Sequence, residues 1–102
     1  MKMIVITSVR EDLQVVTGIL EQSGVPVFSV SEIIGHKSEH QDYLTHNWFG
    51  RKGGDTEALV FFSFTADDQA QQALHLVNEW NAAAERQFPL RGFIMPVEAS
   101  SH

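Results

Sequence analysis

The stretch Ala58-Leu59-Val60-Phe61-Phe62-Ser63-Phe64 constrains the fold more than any other part of the chain. Six of its seven residues are apolar, and β-branched or aromatic residues favour a pleated strand. A strand sends successive side chains to opposite faces, so Leu59 and Phe61 point one way and Val60, Phe62 and Phe64 the other. Both faces are therefore apolar. Such a strand belongs in the middle of a sheet that is covered on both sides. The chain is 102 residues long, enough for one modest core and little more.

The rest of the sequence supplies the other elements. Lys2 to Val9 reads as a strand, again two-faced, with Ile4 and Ile6 alternating with Met3, Val5 and Val9. The period then changes. Leu13, Val16 and Leu20, with Val15 and Ile19 beside them, predict a helix over about Asp12–Gln22, stopped by Ser23-Gly24. Pro26–Ile34 predicts a second strand whose Ser29, Ser31 and Glu32 suit an edge. After Phe64, the pattern Thr65-x-x-Asp68 resembles a helix capping box. Ala70, Ala73, Leu74 and Val77 then form an apolar stripe on a second helix reaching about Arg86. Gly92–Val97 predicts the last strand, and Pro96 places it at an edge because proline cannot donate a ladder hydrogen bond.

The order β-α-β-loop-β-α-β, joined by right-handed crossovers, predicts an α+β, ferredoxin-like βαββαβ sandwich. Its four antiparallel strands run in the order 4-1-3-2, with both helices on one face. Residues 1–102 form a single domain. Two helices cover one face only, so the other exposes large apolar side chains. A patch of that kind on a small domain marks an interface, and a homo-oligomer is expected. The plainer alternative is that the chain tail or the long loop folds over the sheet.

Composition narrows the functional classes. Seven Lys+Arg against thirteen Asp+Glu give a net charge of −6, which argues against nucleic acid and anionic membrane surfaces. No cysteine is present, so disulfides and thiolate metal sites are excluded. No apolar run approaches the ~20 residues of a membrane span, so direct membrane insertion is not expected. Met1–Ile6 reads as the start of a strand rather than a signal peptide, and a cytoplasmic location is expected.

Three stretches in this order resemble the P-II signal-transduction superfamily across nearly the whole chain. They are Met1-Lys2-Met3-Ile4, Gly24 leading into Val27-Phe28-Ser29-Val30-Ser31-Glu32, and Gly92-Phe93-Ile94-Met95-Pro96-Val97-Glu98, which is similar to the family's F-x-x-P-V-E ending. The resemblance implies a trimer whose sheets line a central barrel. It also implies binding of a small effector, usually an adenine nucleotide, in clefts between subunits. A long loop would signal to a partner protein, a membrane transporter or an enzyme. Gly35, His36 and Lys37 would lie at the base of that loop, beside the cleft. Typical members carry a Gly- and Lys-rich phosphate-binding loop before the last strand. Here the place reads Ala83-Ala84-Glu85-Arg86-Gln87-Phe88-Pro89-Leu90-Arg91-Gly92, where Arg86 and Arg91 are the cations that could contact phosphate. The chain thus resembles a divergent member rather than a nitrogen regulator of the familiar kind.

The loop spans about residues 35–57 and holds four of the seven glycines and no sustained apolar period. Loops beyond ~12–15 residues are uncommon in compact domains and are usually functional or disordered. His36, His40 and His46 fall within eleven residues, with Glu39 and Asp42 among them. Imidazole and carboxylate together suit Zn, Ni, Cu or Co, so a metal-binding or metal-tolerance protein is the alternative function. The similarly folded CutA family is associated with metals. The plainer reading is solvated loop histidines. Gly50-Arg51-Lys52-Gly53-Gly54 combines freed backbone N–H groups with two cations and could face an anion, although it is not a Walker A motif. Trp48 and Phe49 are either aromatic anchors of the kind used in partner recognition or residues that fold back onto the core. Tyr43 lies in the same loop, but its surroundings do not copy the uridylylated segment of the family. Trp80 reads as packing or interface, and His75 as a surface residue.

No nucleophile stands beside a base in a recognised pattern, so an enzyme is not expected. His36 with Trp48 keeps a small monooxygenase-like option of this fold class open.

Overall fold

The computed structural model describes residues 1–35 and 56–101. Strand β1 is Lys2–Ser8, followed by a 3-10 turn at Arg10–Asp12 and helix α1 at Leu13–Gln22. Strand β2 is Ser29–Gly35, β3 is Thr56–Thr65, helix α2 is Asp67–Ala82 and β4 is Arg91–Pro96. The four strands form one antiparallel sheet in the order β2-β3-β1-β4, which is the expected order read from the opposite edge.

The core lies between the helices and one face of the sheet. Ile4 and Ile6 of β1 and Leu59 and Phe61 of β3 are buried against Val16, Ile19 and Leu20 of α1 and Ala70, Ala73 and Val77 of α2. Phe28 packs on the edge of this layer, its ring 6.3 Å from that of Phe61. Leu13, the first residue of the expected α1 stripe, is 38% exposed, so the working stripe begins at Val16. Gly92 of β4 pairs with Ile6 under α2. A Cβ at Gly92 would meet Leu74 Cδ1 at 2.9 Å, so this glycine lets the helix approach the sheet.

Helix α1 ends as the sequence predicts. Gly24 has φ 78°, Val25 N–H donates to Leu20 O at 2.9 Å and Gly24 N–H donates to Glu21 O at 3.1 Å. This is a Schellman cap, which satisfies carbonyls the helix leaves open. Gln69 Nε2 also donates to Gly24 O at 2.9 Å, tying the cap to α2. Gly24→Ala is expected to cost about 1 kcal/mol, because an L side chain is strained there and a Cβ would sit 3.2 Å from Gln69 Nε2. For a domain of this size that lowers Tm by roughly 4–8 °C. An unchanged Tm would contradict the strain.

Element ends differ from the sequence expectation for local reasons. The β2 ladder begins at Ser29 rather than Pro26. Val27 O instead accepts a hydrogen bond from Ser63 Oγ at 2.6 Å, and Pro26 has no N–H to donate. Helix α2 starts at Asp67, with Ala66 as N-cap. Gln69 takes the part expected of Asp68: its Oε1 pairs with the Thr65 hydroxyl and accepts from Ala66 N–H at 3.3 Å. The helix ends at Ala82, four residues short of Arg86. Arg86 turns back instead, donating from Nε to Trp80 O at 3.0 Å. Its guanidinium lies 3.6 Å from the Trp80 ring centroid. A cation there satisfies a terminal carbonyl and complements the negative end of the helix.

The second face of the sheet carries Val5, Val60, Phe62, Phe64, Phe93 and Met95, by the alternation and register of the strands. Phe64 is 54% exposed, Met95 41% and Phe93 36%. Phe62 and Phe64 stack edge to face with centroids 6.4 Å apart. β4 is an edge strand, as Pro96 predicts, and β2 is the other edge. Among the described residues no helix is long and apolar enough to cross a membrane.

Candidate functional site

Antiparallel pairing decides which ends of the strands meet. β1 and β2 each pair antiparallel to β3, so their C-terminal ends lie together. Gly35, where the long loop leaves β2, pairs with Thr56, where the chain re-enters β3. Ser8 pairs with Leu59, and Thr7 with both Val60 and Arg91. Helix α2 starts from the far end of β3 and returns to the start of β4, so its C-terminus and the segment after it reach this same end. One end of the sheet thus collects the loop base at Gly35, the Arg10–Asp12 turn, Arg86 and Arg91.

Each of these groups is held differently. Arg86 is fixed on Trp80 as described. Nearby, burial pushes the Asp12 carboxyl above its ordinary range, while the Arg86 guanidinium draws it back down and Glu11 adds to the rise. Asn81 clamps the entry to β4: its Nδ2 donates to Leu90 O and its Oδ1 accepts from Leu90 N–H, both at 2.9 Å. That clamp sets the position of Arg91, the next residue. The Arg91 Nε and the Trp80 Nε1 are buried with no hydrogen-bond partner among the described residues. Arg91 follows the register of Thr7 and Val60, placing it on the second sheet face, whereas Arg86 stands at the helix layer. The two arginines share an end of the fold but belong to different faces of it.

A third arginine at this end escaped the sequence reading. Arg10 forms an ion pair with Glu32 of β2, Nη1 to Oε1 at 2.6 Å. Beside the pair lies an open recess of about 370 Å³, lined among the described residues by Arg10, Glu32, Ile33 and Ile34. The signal was present in the expected strand order. Strands one and two run parallel in it, so the residue just after strand one must come near the end of strand two. A second recess, of about 220 Å³, lies at the opposite end of β2 between Phe28, Phe62 and Phe64.

Of the seven Lys+Arg in the chain, Lys2 alone stands at the far end of the sheet, Arg10, Arg86 and Arg91 stand at the loop end, and Lys37, Arg51 and Lys52 belong to the loop sequence. His36, Lys37, His40, Tyr43, His46, Trp48, Phe49, Arg51 and Lys52 lie outside the described residues. Among the described residues, no group of three or more His, Asp or Glu is arranged to hold a metal. His75 is on the surface, 3.4 Å from Glu79. Trp80 packs against the core.

Neither the protein-family models nor the curated proteins compared with the chain give a match.

Proposed function

We propose that the chain is a P-II-like regulatory protein, a binding protein rather than an enzyme. It takes a small effector, such as an adenine nucleotide or another anion, at the loop end of the sheet and controls a partner protein through residues 36–55. Copies of the chain pack their second sheet faces together as a homotrimer, so each effector cleft forms between subunits. The observation that carries this reading is the convergence of Gly35, Arg86, Arg91 and Arg10 on one end of a βαββαβ sheet. The apolar second face supports the assembly, since exposed side chains such as Phe64 and Met95 are costly to leave in water. An effector that controls the loop must favour one loop arrangement by its own contacts.

Native mass spectrometry tests the proposal directly. The protein is expected near three times its 11.4 kDa subunit mass. Of ATP, ADP, cyclic AMP and bicarbonate, at least one is expected to bind. Zn and Ni test the alternative metal function: a metal adduct lost in His36→Ala, with no nucleotide or anion adduct, would replace effector sensing by metal binding.

A further inference from the structure

We propose that Arg10 is the residue that recognises the effector's anionic group, and that Glu32 guards it as an internal competitor. The inference rests on the effector site proposed above and names its chemistry: a small carboxylate or phosphate ester with a compact apolar body.

Three features of the recess support this. Arg10 sits in the short turn between β1 and α1, and its guanidinium reaches across to Glu32 on β2 at 2.6 Å. A guanidinium suits carboxylate and phosphate because its N–H groups form a planar fork. Second, the recess is mixed in character. Ile33 and Ile34 line it beside the ion pair, and Ile34 is 58% exposed. An apolar body can cover the exposed Ile34 side chain, which strand alternation places on the same face as Glu32, while its charged end meets Arg10. Third, β2 is an edge strand, and edge strands offer unpaired backbone N–H groups as further donors. The volume of about 370 Å³ falls in the range of small-molecule sites.

Glu32 occupies the position an incoming anion would take. Both side chains are more than half exposed, 56% for Arg10 and 65% for Glu32. An exposed pair of this kind is weak and exchangeable. A ligand anion displaces Glu32, and Glu32 stands on the strand whose end, Gly35, begins the loop. Occupancy therefore alters a contact three residues from the loop base.

The two halves of the pair give opposite signs, which a merely structural ion pair does not. The probes are phenyl phosphate and inorganic phosphate, titrated into the full chain while the amide signals of Arg10, Ile33 and Ile34 are followed by NMR. Phenyl phosphate is expected to shift these signals saturably and to bind more tightly than inorganic phosphate, because the ring covers Ile34. Glu32→Gln is expected to tighten phenyl phosphate by about 2- to 5-fold, the value of an exposed ion pair. Arg10→Gln is expected to weaken it by at least about tenfold, as for loss of a charged hydrogen bond. Both sites are on the surface, and an unchanged thermal midpoint will confirm that the variants fold. Unchanged binding in Arg10→Gln, or weaker binding in Glu32→Gln, would overturn the proposal. If ATP or ADP binds the wild type and Arg10→Gln equally, Arg10 is not the recognition residue while the effector function stands. If neither phenyl phosphate nor any nucleotide binds the wild type, both fail.

Discussion

Phe64→Glu is expected to dissociate the assembly into folded monomers. Phe64 is 54% exposed within one subunit and stacks on Phe62 in the apolar second face. In the proposed trimer each copy would bury this ring against its neighbours. Substitution then removes about 1.5–3 kcal/mol of apolar burial per copy. It also forces a carboxylate into the interface, at a cost of several kcal/mol. A loss of roughly 4 kcal/mol per copy weakens association about 10³-fold per interface. Sedimentation velocity at micromolar concentration should show the wild type at the trimer mass and Phe64→Glu at the monomer mass, with the same far-ultraviolet circular dichroism. The fold survives because the helix-side core does not include this ring. A wild type that sediments as a monomer would sink the assembly outright. A variant that remains trimeric would place the interface elsewhere, away from the second face.

The second large effect lies one layer below. Phe61→Ala should destabilise the subunit by about 3–5 kcal/mol, the range for removing a fully buried phenylalanine. Phe61 is completely buried at the centre of β3, between Phe28 and the helices. Little nearby can collapse into the gap, since the facing α2 positions Ala70 and Ala73 are already small. A domain of this size has only about 5–15 kcal/mol to lose. With a urea m-value of about 1–1.5 kcal/mol per molar, the midpoint falls by roughly 2–5 M. Wild type and variant must be compared at one protein concentration, because assembly couples stability to concentration. A loss below about 1 kcal/mol would mean that Phe61 is not the keystone of the core. The contrast with Phe64 is informative. Both are phenylalanines three residues apart on one strand, yet one is expected to report on folding and the other on association.

Much of the fold was legible in the sequence, because periodicity reports faces directly. The run from Ala58 to Phe64 required a central strand, and β3 is central. Gly24 marked the end of α1 through its backbone freedom, and it adopts the left-handed conformation there. Pro96 marked an edge through its missing donor. Boundaries were less legible where a side chain competed with the ladder or the helix. Ser63 captures Val27 O and shortens β2, and Arg86 folds onto Trp80 beyond a helix expected to include it. The first contact has no local signature, since Ser63 and Val27 are 36 residues apart; the second spans six residues but lies beyond the helical period that the apolar stripe reports.

The candidate site divides the same way. Gly35, Arg86 and Arg91 could be nominated from composition and resemblance. Arg10 could not be nominated from those two, because a lone arginine at a turn looks like a solvated surface residue, and its signal lay only in the predicted strand order. It acquires a role only when the sheet order brings the end of β1 beside the end of β2 and sets it 2.6 Å from Glu32. By itself the sequence determined the elements and the two-faced central strands, which follow from the local alternation of apolar and polar residues, and the order of the sheet, which follows from the element order and the right-handed crossover rule. The tertiary structure alone decided which charges meet and which apolar rings stay in water. Those depend on register and crossover, and they join residues the chain keeps far apart.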